Sequence, residues 1–152
     1  NGDLANNLGN LVSRVAKLIE TKMAGELNFD DKFFDKEVST KISETEEKYK
    51  KSVEDFRLHE ALTHIWDLFG FANAYIDSHK PWEADQEASH LLRTLTSIVA
   101  IIITGSRLLE PFLPETATKI YKIFDFDGRT RYSWENHGAH SGAQRKNRFS
   151  LG

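Results

Sequence analysis

Hydrophobic positions along the chain recur at intervals of three and four residues, which is the period of an amphipathic α-helix. Two stripes show this period most clearly: Leu4, Leu8, Leu11, Val15 and Leu18 form one, and Leu58, Leu62, Ile65, Phe69, Ala72 and Ile76 form the other. No segment alternates convincingly between apolar and polar residues at every second position. The pattern therefore predicts an all-α fold, an antiparallel bundle of about five helices.

Prolines and glycines mark where these helices begin and end. The first helix ends before Gly25. The third helix ends near His79, because Pro81 disfavours helical backbone in the residue before it. Pro114 is suited to the first position of a last helix, which runs through Phe124. The pattern thus places a polar connector around Pro81, between two strongly apolar helices.

The second and fourth helices differ in character. The second is highly charged and starts at about Ser39. Its predicted apolar side consists of Ile42, Tyr49, Val53 and Phe56. The fourth runs from Ala84 to about Leu109 and is apolar nearly all round, which is typical of the buried centre of a bundle.

Beyond Asp125 the helical pattern gives way to glycine, asparagine, histidine, serine and arginine. From Arg129 onward the chain leans basic, with Arg129, Arg131, Arg145, Lys146 and Arg148 against one acidic residue, Glu135. We therefore predict a helical bundle at residues 1–125. A loosely structured, partly ordered basic tail follows at residues 126–152.

Composition narrows the class of protein. The chain has 152 residues, enough for one domain with a real core, and 39% of them are hydrophobic. It contains no cysteine, which excludes disulfides and thiolate metal sites. The longest apolar run is too short to span a bilayer, and no secretory segment opens the chain, so we expect a cytoplasmic location. A net charge of −3 argues against non-specific nucleic-acid binding, but not against a small RNA site.

Histidine motifs do not predict a metal site. In "HEALTH" the second histidine, His64, follows His59 at i+5, whereas helical zinc motifs need i+4. His137 and His140 lie in the polar tail without a third ligand at a suggestive spacing. No nucleotide-binding glycine loop or catalytic carboxylate pair stands out. The chain by itself is therefore predicted to be non-catalytic, with no metal.

Polar residues beside the apolar stripes are the better candidates for function. Asn10 and Arg14 are i,i+4 neighbours and project from one patch of the first helix. Trp82 follows Pro81 in the connector, where a tryptophan more often covers a core than binds a ligand. Each feature is weak evidence when taken alone.

Three segments in order resemble the C-terminal anticodon-binding domain of methionyl-tRNA synthetases. They are "DLANNLGNLVSR", "ALTHIWDLFGFANAYIDSHKPW" and "LLEPFLPETATKI", and the resemblance covers about residues 3–124. It implies that Asn10 and Arg14 contact anticodon bases. It further implies that Pro81 and Trp82 form a stacking platform for the first base of a CAU anticodon.

The resemblance also implies the partners, namely the anticodon loop of tRNA(Met) and the catalytic domain of a parent methionine–tRNA ligase. The chain lacks HIGH-type and KMSKS-type motifs, so ATP and methionine would bind that absent domain. No cofactor is expected here, and neither DNA nor a membrane is an expected partner. The basic end of the chain departs from the family pattern.

Two other interpretations remain open at this point. One is a helical protein-interaction bundle in which Trp82 covers the core. The other is the anticodon domain of a different class I aminoacyl-tRNA synthetase, for cysteine or an aliphatic amino acid. A metalloenzyme built on the histidines is the weakest alternative.

Overall fold

Five α-helices make up most of the molecule, as the pattern predicted. The structure is a computed structural model that describes residues 2–22, 26–29, 34–124 and 145–148. The helices are α1 (Gly2–Lys22), α2 (Lys36–Glu54), α3 (Leu58–His79), α4 (Ala88–Leu109) and α5 (Pro114–Ile123). The all-α bundle is therefore confirmed.

Helix α4 is the centre of the bundle. It contacts each of the other four helices, and every residue from 94 to 106 is buried. By length and composition α4 could cross a membrane, but 72% of its most apolar window is buried inside the protein. It is therefore the core helix, and the others arrange their apolar stripes around it.

Helix α3 ends at His79, where the sequence predicted, and the local geometry shows why. Lys80 adopts a left-handed backbone conformation, with φ 46° and ψ 59°, which residues other than glycine seldom take. Its amide still donates to the carbonyl of Ile76, at 3.0 Å. Pro81 cannot continue the helix, and it is buried. The chain therefore turns sharply just before Trp82.

The predicted apolar side of α2 is wrong at its C-terminal end. Helix α2 stops at Glu54, and Phe56 lies beyond it in left-handed backbone, φ 58°, with 89% of its surface exposed. The face that packs inward carries Val38, Ile42, Thr45 and Ser52 as buried residues. Two of these four are polar, so the apolar residues alone did not identify the buried face correctly.

A short antiparallel ribbon lies beside the bundle and was not predicted. Strand β1 (Glu26–Phe29) pairs with β2 (Arg145–Arg148), with Glu26 opposite Arg148 and Phe29 opposite Arg145. Strand β1 also contacts α1 and α4. Part of the basic tail is thus a strand, while the rest of residues 126–152 lies outside the described residues. The boundary near residue 125 stays a prediction.

Candidate functional site

A β-turn at the end of α3 displays Trp82. The amide of Glu83 donates to the carbonyl of Lys80 at 3.1 Å, which closes a four-residue turn with Pro81 and Trp82 at its corners. Proline is favoured at the first corner because its φ is already fixed. Trp82 keeps 43% of its surface exposed. The turn thus holds a large ring outward, while Pro81, the residue before it, is buried.

Arg14 of α1 lies beside this ring. Its guanidinium carbon is 5.7 Å from the centre of the Trp82 ring, within the range of a cation–π contact. One guanidinium nitrogen, Nη2, is 3.5 Å from the Oδ1 atom of Asp77. Both partners of this ion pair are well exposed, so it is worth no more than about 1 kcal/mol. Arg14 is therefore oriented by its neighbours but is readily available to a ligand.

Asn10 is exposed one helical turn before Arg14. Its side chain makes no hydrogen bond to any residue in the described part of the chain. An asparagine amide offers both a donor and an acceptor, whereas a guanidinium offers donors only. The structure thus places Arg14 beside the turn of Pro81 and Trp82, and Asn10 lies one turn before Arg14 on α1.

A polar junction lies behind the turn and ties three segments together. The hydroxyl of Tyr75 donates to Oδ2 of Asp35, and the backbone amide of Asp35 donates to Oγ of Ser97, at 3.0 Å. The rings of Tyr75 and His79 stack with their centres 3.9 Å apart. His79 also donates through Nδ1 to the carbonyl of Tyr75, at 2.9 Å. The last turn of α3 is therefore fastened to α4 and to the residue that precedes α2.

Asp35 occupies the N-cap position of α2, yet its side chain makes no capping hydrogen bond. A capping aspartate is typically worth about 1 kcal/mol. The carboxylate instead faces Tyr75, with Arg93 Nε 3.9 Å from its Oδ1 atom. The side chain thus stabilises the junction behind Trp82 instead of its own helix.

Asp35, Glu37 and His79 also bring metal-type ligand atoms within 4.8 Å of one another. Both Asp35 oxygens already face donors, Tyr75 on one side and Arg93 on the other. A cation there would have to displace the tyrosine hydrogen bond beside a guanidinium, so we assign no metal to this group. Neither His59 nor His64 belongs to a metal-type cluster among the described residues. His137 and His140 lie outside them.

Comparison with known proteins identifies the family. The anticodon-binding domain of tRNA ligases matches this chain over residues 35–145. The chain belongs to that family. This match begins after α1, which carries Asn10 and Arg14. The similarity of α1 to known proteins comes from relatives that align with the whole chain.

Curated relatives of this anticodon-binding domain are methionine–tRNA ligases. The protein from Clostridium acetobutylicum is 35% identical across the whole chain. The one from Methanopyrus kandleri is 32% identical over 89% of it. The chain spans only 24% and 20% of these two relatives, respectively. The resemblance seen in the sequence motifs is confirmed.

The fold also matches a solved structure. The anticodon-binding domain superposes on apo methionyl-tRNA synthetase from Mycobacterium tuberculosis with a TM-score of 0.77, covering 99% of this chain and 31% of that one. Identity is 24%, so this comparison supports the fold alone. The arrangement of helices described above is therefore shared with a much longer protein.

Sequence reasoning missed two polar residues around Trp82. Asp77, which pairs with Arg14, lies five residues before Trp82. Gln86, four residues after Trp82, has a side-chain amide that reaches back to the end of α3. The spacing along the chain could have indicated Asp77, because it lies near the end of α3, close to the connector that carries Trp82. Gln86 had none, since its role depends on the path of the turn.

Alkaline pH is expected to weaken the anticodon-binding domain through Tyr75. Burial raises the pKa of the Tyr75 phenol above its ordinary value near 10, and the hydrogen bond to Asp35 raises that pKa further. Above pH 10 an unfolded tyrosine loses its proton while the folded one retains it, so the free energy of unfolding falls as pH rises. Urea denaturation at a series of pH values from 8 upward measures this slope.

In Tyr75→Phe the free energy of unfolding is expected to fall less steeply with pH, because phenylalanine has no hydroxyl to ionise. At pH 8 this residue should contribute nothing to the slope. Burial also raises the pKa of Tyr49, so a Tyr49→Phe variant should remove a further part. An unchanged slope in Tyr75→Phe would contradict a pKa raised by burial of the Tyr75 phenol and by its hydrogen bond to Asp35.

Proposed function

We propose that this chain recognises the CAU anticodon of tRNA(Met), as the non-catalytic module of a methionine–tRNA ligase. The observation that carries the proposal is the pairing of Arg14 with the half-exposed ring of Trp82, 5.7 Å apart. Arg14 lies on α1 and Trp82 on the turn after α3, and a stacking surface next to hydrogen-bond donors is what reading a single unstacked base requires. The methionine–tRNA ligase relatives support the choice of anticodon.

Affinity and selectivity come from different residues in this proposal. Trp82 stacks on the first anticodon base, an interaction worth about 1–3 kcal/mol that tolerates any base. Cytosine presents acceptors at O2 and N3 and a donor at N4. Arg14 supplies donors and Asn10 supplies both a donor and an acceptor, so together they suit that edge. Pro81 fixes the backbone before the ring, which reduces the cost of ordering it on binding.

Asp77 bears on selectivity because its carboxylate lies 3.5 Å from the guanidinium of Arg14. Arg14 carries five N–H donors, so it can keep this exposed carboxylate and still donate to a base that presents acceptors. Cytosine provides two. A base edge dominated by donors gains little from Arg14, although it stacks equally well on Trp82.

The remaining parts of the proposal concern the parent protein. We infer that the catalytic domain of a methionine–tRNA ligase is the intramolecular partner, and that ATP and methionine bind there and not in this chain. We place the protein in the cytoplasm, where aminoacylation supplies translation. We propose that the anticodon loop binds at the end of α3 next to Trp82.

Changing the first anticodon base tests the proposal. We expect this chain to bind a CAU stem-loop more tightly than an otherwise identical stem-loop with another base in place of C, by roughly 5- to 150-fold. This is the equivalent of about 1–3 kcal/mol for hydrogen-bonding groups left unpaired. Fluorescence anisotropy of labelled stem-loops at low salt measures the ratio, since RNA binding weakens steeply with salt.

The ratio should shrink in Asn10→Ala and Arg14→Ala variants, while Lys119→Ala, on exposed α5 surface, serves as the control. Equal binding of all four bases by the unaltered chain would overturn the assignment to CAU. Preference for an unrelated anticodon would instead favour a different class I synthetase.

A further inference from the structure

The side chain of Gln86 closes the loop that carries Trp82. Its Nε2 atom donates to the carbonyl of His79 at 2.8 Å and to the carbonyl of Lys80. Two carbonyl acceptors can be satisfied only by the NH2 end of the amide, which fixes the orientation of the group. Gln86 is thus a side-chain cap for the end of α3, supplied from beyond the turn.

These two carbonyls lie where α3 ends and the turn begins. The last carbonyls of a helix have no partners within it, and a left-handed glycine usually completes the cap. Here Lys80 occupies the left-handed position, with φ 46°. A donor from another segment therefore compensates for a strained residue directly before Pro81.

The same carbonyl of Lys80 accepts the amide of Glu83, the bond that closes the β-turn around Trp82. Gln86 consequently holds both the helix end and the turn. The junction of Asp35 with Tyr75 secures the helical side of this point, but on the loop side the hydrogen bonds described here come from Glu83 and Gln86. Loss of the Gln86 donor would leave Trp82 on a loop held by fewer contacts.

We propose that Gln86 is a positioning residue for anticodon recognition. By donating to the His79 and Lys80 carbonyls, it holds the turn so that Trp82 presents its face beside Arg14 before RNA arrives. It touches no base itself. The proposal rests on the proposed function, since it matters for recognition only if Trp82 is the stacking platform.

A double-mutant cycle tests this role. Gln86→Met keeps the length and charge of the side chain but removes the donors. It should weaken binding of the CAU stem-loop by roughly 3- to 10-fold, because the turn must then be ordered during binding. In a Trp82→Ala background the same change should have an effect below about 2-fold, because a residue that acts only through Trp82 loses its influence.

Conservative rescue and matched controls separate positioning from general stability. Gln86→Lys retains donors for the two carbonyls and should restore most of the affinity. Ser89→Met and Ser89→Lys, at an exposed position nearby, control for the added methionine and the added charge. Time-resolved anisotropy of Trp82, with Trp66 and Trp134 replaced by phenylalanine, should show a more mobile ring in Gln86→Met than in the chain that retains Gln86.

The outcomes are distinguishable. If Trp82→Ala leaves binding unchanged, the proposed function fails. If Trp82→Ala weakens binding but Gln86→Met behaves like Ser89→Met, the positioning role is overturned. An equal effect of Gln86→Met with and without Trp82 also overturns it, because the residue would then act on the fold as a whole.

Discussion

Replacing Trp82 with alanine is expected to weaken binding of a CAU stem-loop by roughly 5- to 150-fold, because stacking one base on an aromatic ring is worth about 1–3 kcal/mol. The fold should be little affected, since the ring is 43% exposed and sits on a turn. Stacking tolerates any base, so stem-loops with other first bases should lose affinity by a similar factor. Anisotropy titrations with a C-containing and a U-containing stem-loop measure both effects.

Trp82→Phe is the matched control, because it retains a smaller aromatic face on the same turn. Its affinity should lie between those of the unaltered chain and Trp82→Ala. Binding that is unchanged in Trp82→Ala would remove the ring from the site and revive the interpretation of a protein-interaction bundle. A loss of base discrimination without loss of affinity would also contradict the division of roles between Trp82 and Arg14.

The elements that the sequence predicted well are those whose cause is local. The end of α3 at His79 follows from Pro81, and the start of α5 follows from Pro114. The burial of α4 follows from its composition, because a helix that is apolar on nearly all sides has to lie inside. The i,i+4 relation of Asn10 and Arg14 is likewise a property of a single helix.

The elements that could not be predicted depend on contacts between distant segments. The closeness of Arg14 to Trp82 requires α1 to pack beside the end of α3, which periodicity does not specify. The β-ribbon joins Glu26–Phe29 to Arg145–Arg148, and strands of four residues are too short to show a period of two. Asp35 occupies the N-cap position of α2, but its side chain accepts a hydrogen bond from Tyr75 instead of capping that helix.

Phe56 shows how an apolar residue can mislead. It continues the stripe of α2 by spacing, but the helix ends two residues earlier and the left-handed backbone at Phe56 turns the ring to solvent. Thr45 and Ser52 take the buried positions instead. The register of a helix on its core is decided by the whole packed surface, and small polar residues are part of it.

Phe69→Ala is expected to destabilise the fold by about 3–5 kcal/mol, a large share of the stability of a domain of this size. Phe69 is only 4% exposed, and its ring packs against Trp66, with the ring centres 5.9 Å apart. It also lies against α4 at Gly105, where an added Cβ would come within 2.5 Å of the ring. Urea denaturation followed by circular dichroism measures the change.

Phe56→Ala is the matched control for the same deletion of a ring, and with 89% of that residue exposed it should change stability by less than about 0.5 kcal/mol.

Gly105→Ala provides a second check, since the sign of its effect on the free energy of unfolding should depend on Phe69. With the ring present, the new methyl group overpacks the core, which typically costs about 1–3 kcal/mol. With Phe69→Ala the methyl group has room, and replacing a helical glycine should then stabilise by about 1 kcal/mol. A Gly105→Ala effect of the same sign in both backgrounds would mean that the ring does not rest on α4.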